Sequence, residues 1–392
     1  MDKYKVRMIF NGLMILLAVI LIVTVVVLSQ DTALSEQATR TVTFAFTNSL
    51  GRLSSALPFS LFEVLVCVAV IAALFLIIKG IVSLAKRRTA RGLCSFTTLI
   101  ATVLCIVSIY MLDTSFAYNR EKPPLDIYKN GDLTEAKQLE AIDEFMTDFM
   151  DIAYSLERDE NGFPVCNYSV SELSELIVEE YAKLDDPYYD VFVPKAKGMA
   201  SSALMSELYL IGITFTPIGE ANVNKQAPVS VVIYTTAHEM AHSIGIMREE
   251  DANLVATYVL INSDNDLLRY AAMTEYYGRL LDVVRLVDEE KYAEYEKTIS
   301  ESPVMKESNA ELKFWRSKGM FNEISEFLNN IYLKFNGQNL GTGSYNDGNF
   351  WEVTPSDPDD DGNVTYDIKL SDIQLTMLTP YAANRYVGKE SF

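Results

Sequence analysis

The sequence predicts a mainly α fold: three transmembrane helices followed by a mostly helical domain outside the membrane, with a small β element. Three observations predict it. Residues 1–112 are apolar and basic, with 10 Lys+Arg against 4 Asp+Glu, whereas residues 113–392 hold 23 against 49. The first part contains three long apolar runs. The second contains capped, amphipathic helical patterns and one short β-favouring stretch. The net charge of −20 argues against a nucleic-acid partner, which needs a basic face, and 49% hydrophobic content argues against disorder.

Met8–Ser29 is an uncharged run long enough, at about 1.5 Å per residue, to cross a bilayer core of about 30 Å. Leu57–Lys79 is apolar apart from Glu63 and Lys79, with Pro58 suited to a first helical turn. Leu93–Leu112 is a third uncharged run. Residues 1–112 therefore read as a membrane anchor spanning at about 8–29, 57–79 and 93–112. The first run also has the character of a signal peptide, but it is long for one and no small-residue cleavage site follows.

Lys3, Lys5 and Arg7 precede the first run; Lys79, Lys86, Arg87, Arg88 and Arg91 lie between the second and third. The intervening Gln30–Ala56 holds only Arg40 and Arg52. The positive-inside rule puts the amino terminus in the cytoplasm and residues 113–392 outside, in a multi-pass protein of the cell membrane. Glu63 reads either as an intramembrane functional group or as a carboxylate solvated at the outer interface. Cys67, Cys94 and Cys105 lie in or beside the membrane runs, and Cys166 has no partner in the outer domain. A domain exported without disulfides suits a bacterial cell envelope.

In the outer domain, Asp132–Glu135 opens a helix reaching about Arg158, and Ser169-Val170-Ser171-Glu172 is a capping box for another to about Leu184. Pro187–Pro194 reads as a loop, and Gly212–Asn224 as short strands with turn residues. Helical patterns cover Pro228–Ile244, Glu249–Asn262, Leu267–Val287 and Phe321–Phe335. Ser344–Tyr366 is polar and turn-rich and reads as a long surface loop.

The chemistry lies in His238-Glu239-Met240-Ala241-His242. Histidines four apart share one helical face, and their imidazoles can bind one zinc ion at about 2.0–2.1 Å. Glu239 is placed to act as general base toward a water and then to protonate a leaving amine. The chain has two histidines in total, and both are here. The bland alternative is a hydrogen-bonded helical pair without metal.

The third ligand must be a carboxylate or something weaker; the nearest candidates are Glu249, Glu250 and Asp251, with Glu249 favoured. In an unbroken helix His238 and Glu249 stand about 16 Å apart, too far to share an ion. The helix must break, and Gly245 is the natural turn. Asn253 then lies one turn after Glu249, placed to orient a ligating histidine.

HExxH followed by Glu249-x-x-Ala252-Asn253 resembles the gluzincin metallopeptidases, especially the membrane-embedded prenyl-protein and heat-shock protease type. In those, the second motif's Glu is the third zinc ligand, a role that falls on Glu249. Here the motifs are closer together, and Asn253 stands where Asp is usual. A wider resemblance spans Pro58-Phe59-Ser60, Gly219-Glu220-Ala221-Asn222-Val223-Asn224, Thr236–His242, Gly245, Arg248-Glu249, Arg269-Tyr270, Phe314-Trp315 and Tyr332-Leu333-Lys334. Together with the three membrane runs, these residues resemble the bacterial membrane family of unknown function DUF3810. The resemblance implies a zincin-like domain and supplies no substrate. Asn346–Asp367 reads as an insertion before a final apolar helix.

Glu220, Asn222 and Asn224 are candidate substrate-binding residues on an edge strand, or a turn that seats the histidine helix. Arg269 and Tyr270 are candidate transition-state stabilisers, or packing and ion-pair residues. Asp357–Gly362 matches the opening of a calcium loop but lacks its closing Glu, so a solvated acidic loop is the default.

These readings converge on a membrane-anchored zinc metallopeptidase, its partners the bilayer and a protein or peptide substrate outside the cell. The alternatives are a non-catalytic zinc-binding surface or sensor protein, and an intramembrane protease. The last is disfavoured by the charge around the motif.

Overall fold

The computed structural model describes residues 3–320, 322–335, 338, 343, 351–357 and 364–382. The first apolar run forms α1 (Lys3–Leu28). The chain then winds as α2 (Thr32–Ala38), α3 (Phe44–Phe46) and α4 (Arg52–Ser55), joined by π-helical turns at Thr39–Thr43 and Thr47–Gly51. From the sequence this segment reads only as the connection between two apolar runs. Its start is a side-chain cap, with Asp31 accepting from the Leu34 amide at 2.9 Å.

The other two apolar runs form α5 (Leu61–Ala85) and α6 (Thr89–Tyr118), packed together, with α1 against α6. All three are long and apolar enough to cross a membrane. They extend past most of the expected limits, and the added end of α6, Asp113–Tyr118, is buried within the protein. Pro58 lies before α5 rather than in its first turn, because Ser60 is the cap, accepting from the Glu63 amide at 3.1 Å. Buried Asn11 of α1 donates to Thr97 and Thr98 of α6 at 3.1 and 3.0 Å, a polar pairing that fixes the α1–α6 contact in an apolar surround.

The later chain forms α7 (Glu135–Ser155), α8 (Val170–Tyr181), α9 (Ser202–Glu207), α10 (Val229–Ser243), α11 (Glu249–Ile261), α12 (Asp266–Val287), α13 (Glu289–Ser300), α14 (Pro303–Arg316), α15 (Asn322–Phe335) and α16 (Asp372–Ala382). The expected capping box at Ser169 and Glu172 opens α8. A three-stranded sheet holds β1 (Lys197–Gly198), β2 (Gly212–Phe215) and β3 (Glu220–Val223) in the order β1-β3-β2. β1 runs parallel and β2 antiparallel to β3, with Gly212 opposite Val223 and Phe215 opposite Glu220. The fold is thus mainly helical, with three apolar amino-terminal helices and a later helical domain carrying small sheets.

The stretch expected as a surface loop contains β4 (Glu352–Pro355), paired antiparallel with β5 (Tyr366–Lys369). Residues 358–363, most of the calcium-like sequence, lie outside the described residues.

At the centre of the core, α10 packs against α8, α11, α12, β2 and β3. Tyr234 of α10 ties this arrangement: its hydroxyl donates to the Asn253 carbonyl of α11 at 3.1 Å and lies 3.0 Å from Tyr276 Oη of α12.

Candidate metal centre

α10 stays helical through both histidines and then ends at a glycine turn. Gly245 has φ +83°, a conformation most side chains resist. Its amide bonds the His242 carbonyl at 3.0 Å, and the Ile246 amide bonds the Ala241 carbonyl at 3.1 Å, the paired closure of a Schellman turn. The Ile246 carbonyl then points back and lies 2.7 Å from His242 Nδ1. That contact fixes the ring and leaves Nε2 for the centre. The chain restarts at once as α11, with Glu249 in its first turn.

The break brings three donors together. Glu249 Oε2 lies 3.2 Å from His238 Nε2 and 3.6 Å from His242 Nε2, and one ligand atom of each residue lies within 4.8 Å of the others. Tetrahedral zinc with bonds of about 2.0–2.1 Å sets its donors about 3.3 Å apart. All three residues are buried, and among the described residues Glu249 Oε2 has no hydrogen bond of good geometry. A buried orphan carboxylate oxygen facing two imidazoles fits a divalent cation. Burial opposes ionisation of Glu249, yet the facing histidines hold its carboxyl at about 2. Burial likewise disfavours charge on His242, but Glu249 overrides it and raises that imidazole to about 9.

The rival carboxylates are engaged elsewhere. Asp251 pairs with Arg248 at 2.6 Å, and Glu250 accepts from Gln338 at 3.2 Å.

Glu239 turns its carboxylate to β2, where Thr214 Oγ1 lies 2.7 Å from Oε2. Burial raises the Glu239 carboxyl above its ordinary range, with His242, His238 and Thr214 partly opposing. Gly212 lies against the same carboxylate, and a Cβ there would overlap it. A cleft of about 720 Å³ holds all four residues together with β2, Asn253 and Glu275. In Glu275, burial and then Glu311 raise the carboxyl to about 6. Gly212, Thr214, Ile246 and Glu275 were not singled out from the sequence. Only the β character of Gly212–Phe215 hinted at the first two.

Asn253 lines the cleft, and its carboxamide oxygen accepts from Tyr234 at 3.4 Å. Among the described residues His238 Nδ1 has no hydrogen-bond partner.

Other expected site residues are placed differently. β3 is the central strand, paired on both sides, so Glu220–Asn224 is not an edge open to substrate. Fully buried Glu220 instead caps the apolar helix α5. Its oxygens accept from the Leu61 and Phe62 amides at 3.0 and 2.9 Å, and from the hydroxyls of Ser54 and Ser60. Ser60 Oγ also lies 2.6 Å from Asn222 Oδ1. Asn224 donates to Ser206 at 2.9 Å and to the Leu210 carbonyl at 3.2 Å. The edge strand beside Glu239 is β2.

Arg269 and Tyr270 do not line the cleft. Arg269 pairs with Asp148 and bonds Tyr381 at 3.1 Å, joining α12 to α7 and α16. Tyr270 donates to Glu307 at 2.7 Å and accepts from Arg158 at 2.9 Å. Glu63, partly exposed in the first turn of α5, accepts the Ala200 and Ser201 amides at 2.9 and 2.8 Å, ahead of α9.

The helical segment after α1 buttresses the turn that makes the centre. Thr47 donates to the Ser243 carbonyl at 3.1 Å. Arg120, paired with Glu36 at 2.9 Å, reaches the Gly245 carbonyl at 3.3 Å.

No curated protein and no solved structure matches the chain, so the chemistry is read from the site itself. A family model described as a protein of unknown function (DUF3810) matches residues 39–348, which begins after α1 and ends before the β4–β5 hairpin. The chain belongs to the DUF3810 family.

Proposed function

We propose that this chain is a membrane-anchored zinc metallopeptidase that hydrolyses peptide bonds of an extracytoplasmic protein or peptide in the bacterial envelope. The observation that carries the reading is Glu239: a carboxylate a structural metal site does not need lies in the same cleft as the three donors. His238, His242 and Glu249 would hold the ion, which supplies Lewis acidity toward a water and a carbonyl. Glu239 accepts a proton from the attacking water and delivers it to the departing amine. Thr214 holds that carboxylate in place. Burial raises the Glu239 carboxyl above its ordinary range, the direction a proton-accepting group needs.

On this reading residues 1–112 anchor the chain with the amino terminus in the cytoplasm, and residues 113–392 form the extracytoplasmic catalytic domain. Positive charge concentrated at the Lys3 and Lys86–Arg91 ends supports that orientation.

The test is turnover of a mixed-sequence peptide library by zinc-loaded full-length chain in detergent, beside Glu239→Gln. The variant should keep zinc and lose hydrolysis. Equal turnover in the two would contradict the mechanism.

A further inference from the structure

Strand β2 connects the candidate site to the membrane. Among the described residues it is paired on one side only, with β3, and its residues line the cleft. At one end Gly212 lies against the Glu239 carboxylate, and Thr214 bonds it. At the other end Phe215, three residues and about 10 Å further along a strand, packs on two membrane helices. Its ring lies 5.4 Å from Phe62 in the first turn of α5 and 6.0 Å from Tyr110 of α6.

Those two contacts mark one level. The apolar span of α5 begins at Leu61, and the apolar run of α6 ends at Leu112, followed by Asp113. Phe62 and Tyr110 therefore stand at the same end of the spans, where aromatic rings favour the interface. They also form part of the cleft wall, with Tyr118. An extended chain that adds to the free edge of β2 would run from Glu239 to the bilayer surface within a few residues.

We infer that the substrate is a polypeptide anchored in the same bilayer, cut a few residues from its anchor. This rests on the peptidase reading above. Water adds across the peptide C–N bond, leaving a new carboxylate on one fragment and a new amine on the other. One fragment stays in the membrane and the other is released. An edge strand presents the scissile carbonyl to Glu239 correctly for one chain direction only, so anchoring at one terminus is productive and at the other is not.

The experiment uses the full chain, zinc-loaded, in liposomes. A mixed-sequence peptide library is attached to a dipalmitoyl anchor through its amino or carboxyl end, with either no spacer or a flexible polyethylene glycol spacer. A free library is run alongside. Anchoring raises local concentration in both spacer arms, so the comparison between them isolates geometry. The expected result is turnover at least about tenfold higher without the spacer, cleavage clustered within about eight residues of the anchor, and a preference for one anchored terminus. Equal turnover with and without the spacer, or no terminal preference, overturns the inference while leaving the peptidase reading in place. Zinc bound but none of the libraries cleaved would overturn the peptidase reading and this inference with it.

Discussion

Thr214 Oγ1 lies 2.7 Å from Glu239 Oε2 and 2.8 Å from the Glu239 carbonyl, so one side chain of the edge strand holds the candidate base from two sides. Thr214→Val keeps the shape and removes the hydroxyl. A hydrogen bond to a charged group is worth about 1.5–3 kcal/mol, so kcat should fall about 10- to 100-fold with zinc content unchanged. Steady-state kinetics beside metal analysis checks this; loss of zinc would show that Thr214 supports the ligands instead.

Gly212→Ala separates the metal from the chemistry. Its Cβ would overlap the Glu239 carboxylate but touches no ligand among its nearest contacts. Zinc binding should persist while hydrolysis is lost, read by the same pair of measurements.

Gly245→Ala acts on the centre itself. Positive φ disfavours the substitution, and the new Cβ would meet Thr39 Cγ2 at 3.0 Å. A cost of about 1–2 kcal/mol in stability should come with weaker zinc affinity, measured by competition with a chelating dye.

Glu220→Ala should destabilise the chain rather than weaken substrate binding. The carboxylate satisfies two hydroxyls and two amides at the start of α5 while fully buried. Removing it leaves buried donors unpaired, at a cost of about 2–4 kcal/mol. The melting temperature should drop with KM for peptide unchanged. A raised KM at unchanged stability would restore the substrate-binding role.

The Glu36–Arg120 pair predicts an acid limb. Burial disfavours the Glu36 carboxylate, but Arg120 and Arg40 outweigh that and hold it below its ordinary pKa. A depressed folded-state pKa contributes stability above the unfolded value, and that contribution is lost as pH falls through the folded one. Thermal stability should therefore decline below about pH 4. Glu36→Gln should lower stability at neutral pH and flatten that decline, as melting curves across pH would show.

The site was legible where its geometry is local. His238 and His242 are one helical turn apart, and Gly245 had to break the helix for Glu249 to reach them. Both follow from chain geometry alone. Thr214 was not legible because its contact with Glu239 depends on how β2 packs against α10. Glu220 reads as part of a substrate-binding edge strand because it lies just ahead of the HExxH helix, whereas its partners at Ser54–Phe62 lie far away in sequence. The helical segment Thr32–Ser55 read as a loop because it is short and sits between membrane runs. Its capping Asp31 was the overlooked signal.

The most direct test is the zinc content of the purified full-length chain, measured beside Glu249→Ala and Glu239→Gln. The account predicts about one zinc per chain, retained in Glu239→Gln and lost in Glu249→Ala. A folded wild-type chain that takes up no supplied zinc, or a Glu249→Ala variant that binds it as tightly, would contradict the centre described here.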